Sequence, residues 1–116
     1  MDTVRSTPTA RKVHRCEVCG WDIQPGEKYE RAVTFDGWVT VWKTHILPCA
    51  VATDRAFLDG YEDCGMIAAD DVAAWAEEHA SPDDAEAAEL RRRLTINAER
   101  WREKRAAEIR ERKSNG

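Results

Sequence analysis

The sequence predicts a small α+β domain, and three observations carry that prediction. Cys16 and Cys19 form a C-x2-C pair, and His45 and Cys49 form an H-x3-C pair further along. Between them lie two runs of alternating side chains joined by Asp36-Gly37. After Cys49 the apolar spacing changes to the threes and fours of a helix. Two cysteines on a tight turn, with a His and a Cys across a hairpin, have the spacing of a structural zinc site. The fold class is therefore a zinc-stabilised α+β domain. It has a zinc knuckle, a β-hairpin and a helix, then a packing helix and a long charged C-terminal helix.

In the knuckle, Cys16-Glu17-Val18-Cys19-Gly20, two thiolates must approach one ion at about 2.3 Å. Gly20 supplies the positive φ that ends such a turn. Pro25-Gly26 marks another turn. Glu27 to Phe35 then alternates, with Tyr29, Arg31, Val33 and Phe35 on one face, and Trp38 to Lys43 alternates in turn. Read as a two-residue hairpin loop, Asp36-Gly37 sets Phe35 opposite Trp38, Val33 opposite Thr40 and Arg31 opposite Trp42. The aromatic content is that of core packing beside a metal; a base-stacking platform is the alternative.

His45 falls just past the second strand. Pro48 suits the first turn of a helix, which would place Cys49 at the positive end of the helix dipole. That helix runs to Leu58 and is capped by Gly60. A second helix opens at Ala69 or Asp70 and gathers Val72, Trp75, Ala76 and His79 on one face. Pro82 breaks the chain, with Ser81 or Asp83 as cap for a third helix.

Residues 83–116 read as an extended basic amphipathic helix, on the order of 45 Å if unbroken. Its apolar positions, Ala87, Leu90, Leu94, Ala98, Trp101 and Ile109, make one narrow stripe. Leu90, Leu94, Trp101 and Ile109 are the candidates for a protein partner or for a second copy of the chain, although the stripe is too irregular for a sustained coiled coil and a solvated helix with internal Glu–Arg pairs is the alternative. Residues 13–80 form the finger with its packed helices, and 1–12 a polar, mobile arm.

Composition narrows the function. The chain has 116 residues, 34% charged, with a net charge of −4 and a mean hydropathy of −0.67. No run approaches the roughly 20 apolar residues of a membrane span. The N-terminus lacks the apolar core of a signal peptide, so the expected setting is the cytoplasm. The charge is unevenly placed: residues 51–89 hold one basic and twelve acidic side chains, and 90–116 hold ten and four. Nucleic-acid binding is the alternative function. It would use Arg11, Lys12 and Arg15 with Arg91, Arg92 and Arg93 on phosphates. The acidic middle argues against it.

Disulfides are the alternative use of the four cysteines, but a C-x2-C pair with a spaced histidine is metal arithmetic. Cys64 is left over as a free thiol in a partly buried loop. An enzyme is the least favoured class, with no small-molecule substrate expected. Four protein ligands leave zinc no open position. His14 and His79 lie apart from any nucleophile, and His45-Ile46-Leu47 lacks the H-x-E of a zinc deaminase.

The pattern C-E-V-C-G…I-Q-P-G-E-K-Y…W…H-I-L-P-C resembles a treble-clef zinc finger. It is most like the poly(ADP-ribose) polymerase type, with a LIM-like ligand order. The matching positions are Cys16, Cys19, His45 and Cys49, with Gly26 and Trp42 in family-like surroundings. The resemblance covers less than a third of the chain. It implies one structural Zn2+ and no catalysis. The spacing of His and Cys departs from that polymerase type, which has two residues between them, and so the DNA-break recognition of that type is not carried over. Size and composition also resemble small phage proteins of actinobacteria, which would make the setting a bacterial host's cytoplasm.

Overall fold

The computed structural model describes residues 2–35, 37–63 and 65–115. In chain order it has strands β1 (Asp2–Ser6), β2 (His14–Arg15), β3 (Asp22–Ile23), β4 (Tyr29–Phe35) and β5 (Val39–His45). Helices α1 (Val51–Leu58), α2 (Ala69–His79) and α3 (Ala85–Asn115) complete it. β1, β4 and β5 form an antiparallel sheet in that order, and β2 pairs with β3. Among the described residues no helix is long and apolar enough to cross a membrane.

Residues 2–12 are not the arm their polar composition implies. β1 lies along β4, with Thr3 opposite Thr34 and Ser6 opposite Arg31. Arg5 holds it to α1 through Asp54 at 2.8 Å. The next stretch runs on beside the finger: the Tyr29 amide donates to the Pro8 carbonyl and the Ala10 amide to the Glu27 carbonyl, at 3.1 and 2.9 Å. Backbone pairing, which polar composition does not report, ties this segment down.

The hairpin differs from its expected register by one residue. Phe35 lies opposite Val39, Val33 opposite Val41 and Tyr29 opposite His45. Residues 36–38 therefore make the connection, and Gly37 takes a φ of +75°. Asp36 lies outside the described residues. The shift moves Trp38 off the ladder, 76% exposed, and sets Trp42 across from Ala32. A one-residue change of this kind exchanges every cross-strand pair. Here it leaves His45 at the end of β5, paired with the buried Tyr29.

α1 also starts later than Pro48 suggests. Ile46–Ala50 is a wide turn in which Leu47 is extended, the Leu47–Pro48 peptide is cis, and Cys49 precedes the first helical turn. The helix ends as expected on Gly60. The Gly60 amide donates to Phe57 and the Tyr61 amide to Ala56, a Schellman motif around a φ of +84°.

The core sits between α1, α2, the first half of α3 and the knuckle. Val72, Trp75 and Ala76 of α2 are fully buried. The Trp75 indole N–H donates to Asp59 at 2.8 Å, and the Arg55 guanidinium lies 4.6 Å over its ring. Arg55 also grips both oxygens of Asp84, at 2.8 and 2.7 Å. Asp84, rather than Ser81 or Asp83, caps α3, accepting from the Ala87 amide at 3.2 Å. One carboxylate thus serves a helix terminus and an ion pair, and the Arg55 hydrogen bonds hold its pKa below the usual range.

α3 has two halves. Ala87 and Leu90 are fully buried and Leu94 packs against the core. Leu90 is thus a core residue and not the partner contact its place in the stripe implies. Further along, Trp101 is 66% and Ile109 42% exposed. In urea unfolding, Leu90→Ala is expected to cost about 2–5 kcal/mol, as buried leucine truncations do. Ile109→Ala is expected to stay within about 0.5 kcal/mol.

Candidate metal centre

Four segments deliver the four donors. Cys16 comes directly after β2, Cys19 ends the knuckle turn, His45 closes β5, and Cys49 lies in the turn before α1. Their ligand atoms all lie within 4.8 Å of one another, and all four residues are buried. The knuckle closes through Gly20 N–H to the Cys16 carbonyl and Cys16 N–H to the Trp21 carbonyl, both 3.0 Å. Gly20 takes the expected positive φ, +73°. The Trp21 amide points at Cys19 Sγ, 3.4 Å away. Glu17 N–H donates to the Lys43 carbonyl at 2.9 Å, fixing the knuckle to the strand that carries His45.

The histidine's tautomer is set by its neighbours. His45 Nε2 lies 3.1 Å from the Asp22 carbonyl, which can only accept, so Nε2 carries the proton. Nδ1 is then the free donor atom, and it faces Cys19 Sγ at 3.3 Å and Cys49 Sγ at 3.8 Å. Metal-bound histidines are usually oriented in this way, by a hydrogen bond from the second ring nitrogen.

The four donors are close enough to set one another's protonation. Hydrogen bonds from Cys19, then Cys49, push the Cys16 thiol down. The same crowding pushes Cys49 up, first through Cys16 and then Cys19, with burial adding to it. His45 is raised to about 10, chiefly by Cys16 and then Cys19, so Nδ1 would hold a proton beside the thiolates that a metal ion would displace on binding. Three thiols in one buried spot cannot all ionise unless positive charge joins them. The donor set, three sulfurs and one imidazole, fits one metal ion. It is a soft set, unlike the oxygen cages of calcium or magnesium.

Two further residues reach the centre from α3. Asn97 Nδ2 donates to the Cys19 carbonyl at 2.6 Å, and Asn97 Oδ1 accepts from the Trp21 indole at 2.7 Å. Arg93 Nη1 lies 3.8 Å from Cys19 Sγ, and its guanidinium sits 5.0 Å over the Trp21 ring. Neither residue belongs to a ligand motif. The available signal is that they stand four apart and beside Leu90 and Leu94, on the buried side of the helix.

Of the basic sequence candidates, Arg93 reaches the cluster and Arg15 adjoins it, and all three arginines of the 91–93 run have carboxylate partners. Arg91 pairs with Glu77 at 3.3 Å, and Arg92 and Arg93 share Glu89 at 2.7 and 3.0 Å. Arg11 and Lys12 border an open concavity with His14 and Tyr29, and Arg15 is exposed beside Gly20. His79 stacks on Trp75 and lies 3.8 Å from Asp59. Cys64 lies outside the described residues.

Two outcomes are expected. Cys16→Ser and Cys49→Ser should each purify without metal and without a cooperative unfolding transition, by elemental analysis and circular dichroism. Glu89 supplies a pH test. Hydrogen bonds from Arg92, opposed by burial and helped by Arg93, pull its carboxyl from 4.5 to about 2. A lowered folded pKa stabilises fully above the unfolded value and is lost as pH falls through the folded one. At pH 6–8, above the unfolded value, Glu89→Gln should therefore be less stable than the wild type in urea unfolding, and the gap should start to close as pH falls below 4.5.

No protein-family model, curated protein or solved structure matches this chain, so the cluster itself carries the functional reading.

Proposed function

We propose that this protein is a non-enzymatic interaction module of the treble-clef zinc-finger kind, with one structural Zn2+ on Cys16, Cys19, His45 and Cys49. The observation that carries the reading is the closed donor set: four buried side chains within 4.8 Å of one another. Three thiolates and an imidazole suit zinc, and four protein ligands complete its tetrahedron. Such a centre builds a scaffold and has no place for a reacting water. Reduced thiols of this kind suit a cytoplasmic setting.

The module presents the outer half of α3. Trp101 and Ile109 are its exposed apolar groups, eight residues apart and so near one face of the helix. A protein partner, or a second copy of the chain, would cover them in a helix-in-groove or helix-pair mode. This reading is preferred to nucleic acid because Arg91, Arg92 and Arg93 already pair with carboxylates of the chain. The net charge of −4 adds to that preference.

The test uses the full chain. Elemental analysis is expected to find one zinc per chain. In light scattering or partner capture, the double change Trp101→Glu and Ile109→Glu is expected to abolish association and leave zinc content unchanged. Association unaffected by that change would remove the tail from the proposal. Tight, steeply salt-dependent DNA binding by the wild type would favour the nucleic-acid reading instead.

A further inference from the structure

The contacts of α3 with the knuckle go beyond helix packing. Arg93 and Asn97 are 74 and 78 residues from Cys19 in sequence, and both converge on that one ligand residue. Resting on the reading of the cluster as a metal site, we propose that Arg93 and Asn97 are outer partners of the bound ion. Metal binding and the docking of α3 on the knuckle are then one event.

Charge is the first argument. Three thiolates against a divalent ion leave one negative charge in a buried place. Arg93 supplies a positive group at 3.8 Å from Cys19 Sγ, and its own side chain is only 16% exposed. A guanidinium so placed needs negative partners to offset its lost hydration. Glu89 is one and the thiolate cluster is the other.

Geometry is the second. Asn97 binds on both sides of the peptide that aims its N–H at the sulfur: the Cys19 carbonyl at 2.6 Å and the Trp21 indole at 2.7 Å. The orientation of its amide is settled by these two contacts, since a flip would set donor against donor and acceptor against acceptor. Asn97 thereby holds the Trp21 amide on Cys19 Sγ. Hydrogen bonds of this kind make a thiolate ligand easier to keep charged. The helix that carries both residues continues one turn to Trp101, so the ion also fixes where the exposed half of α3 begins.

The test compares the wild-type full chain with Arg93→Met, Asn97→Leu and a control, Arg92→Met, whose arginine touches Trp21 but no ligand. Zinc affinity is read by competition with a chromophoric chelator. Cobalt(II) substitution reads the sulfur-to-metal charge-transfer band. Arg93→Met and Asn97→Leu are expected to lose about 10- to 100-fold in zinc affinity, the usual cost of removing an outer-shell partner. Arg93→Met should also shift the cobalt band, Arg93→Lys should recover part of the affinity, and Arg92→Met should match the wild type. Wild-type affinity and spectra in both test variants would overturn the proposal while leaving the metal site intact. A wild type that binds neither metal would overturn the metal reading itself. Should Arg93→Met or Asn97→Leu fail to fold in saturating zinc, Arg93→Lys and Asn97→Gln carry the same comparison, and unchanged affinity in both would overturn the proposal.

Discussion

Everything in this fold depends on bringing Cys16 and Cys19 to His45 and Cys49. The two pairs are separated by a hairpin, and each pair is short. The knuckle alone has a few backbone hydrogen bonds, and β2 and β3 are two residues each. Elements of that length do not stand unaided. A shared ion, on the proposed reading, would convert them into a fixed corner, onto which β5 and α1 enter from opposite ends. In small domains of this size, metal-binding free energy is folding free energy.

The apolar core is then an extension of that corner. Cys16, Cys19 and Cys49 are members of the same buried cluster as Ile23, Val72, Trp75 and Leu90. Around Trp75 the polar groups are matched one to one: the indole to Asp59, the stacked Arg55 to Asp84, and Asp84 to the start of α3. A buried aromatic with its N–H satisfied contributes area without an orphaned donor. The acidic block that argues against nucleic acid in the sequence is partly used in this way, within the chain.

The features legible in the sequence are those with local causes. The four ligands, the knuckle glycine, the Gly60 cap and the Val72–Trp75–Ala76 face are all set by spacing or by turn chemistry within a few residues. The misreadings are non-local. β1 is a strand because β4 offers it an edge, and D-T-V-R-S has no pattern strong enough to announce that. The hairpin register depends on whether two or three residues turn the chain, and Asp-Gly is compatible with both. Leu90 could not be told from Trp101 by periodicity, since a stripe records which side is apolar and not where the neighbouring elements end. The contacts of Asn97 and Arg93 with Cys19 are hidden for the same reason, since Cys19 is far away in sequence, and Arg93 reads there only as a candidate phosphate contact.

The length of α3 is explained by the same asymmetry. An isolated helix must meet the cost of its first turn, and one this polar would be marginal in water. Here the first turns are formed for other reasons: Asp84 caps them, and Ala87, Leu90 and Asn97 are held by the core and the knuckle. Each residue added beyond that point needs only propagation. Good helix formers and pairs such as Arg105–Glu108 favour propagation without requiring a second surface. Propagation explains how the outer half of α3 can be helical in solution, but not why it carries an indole. A solvated helix of Glu, Arg and Ala gains nothing from Trp101, 66% exposed, or from Ile109 beyond it. Seven basic and four acidic side chains lie beyond Asn97, so this half also keeps the excess positive charge that the inner half neutralises against Glu77 and Glu89. On the proposed reading, a protein partner with an apolar, acid-rimmed groove is what would cover this exposed aromatic on a net-basic helix.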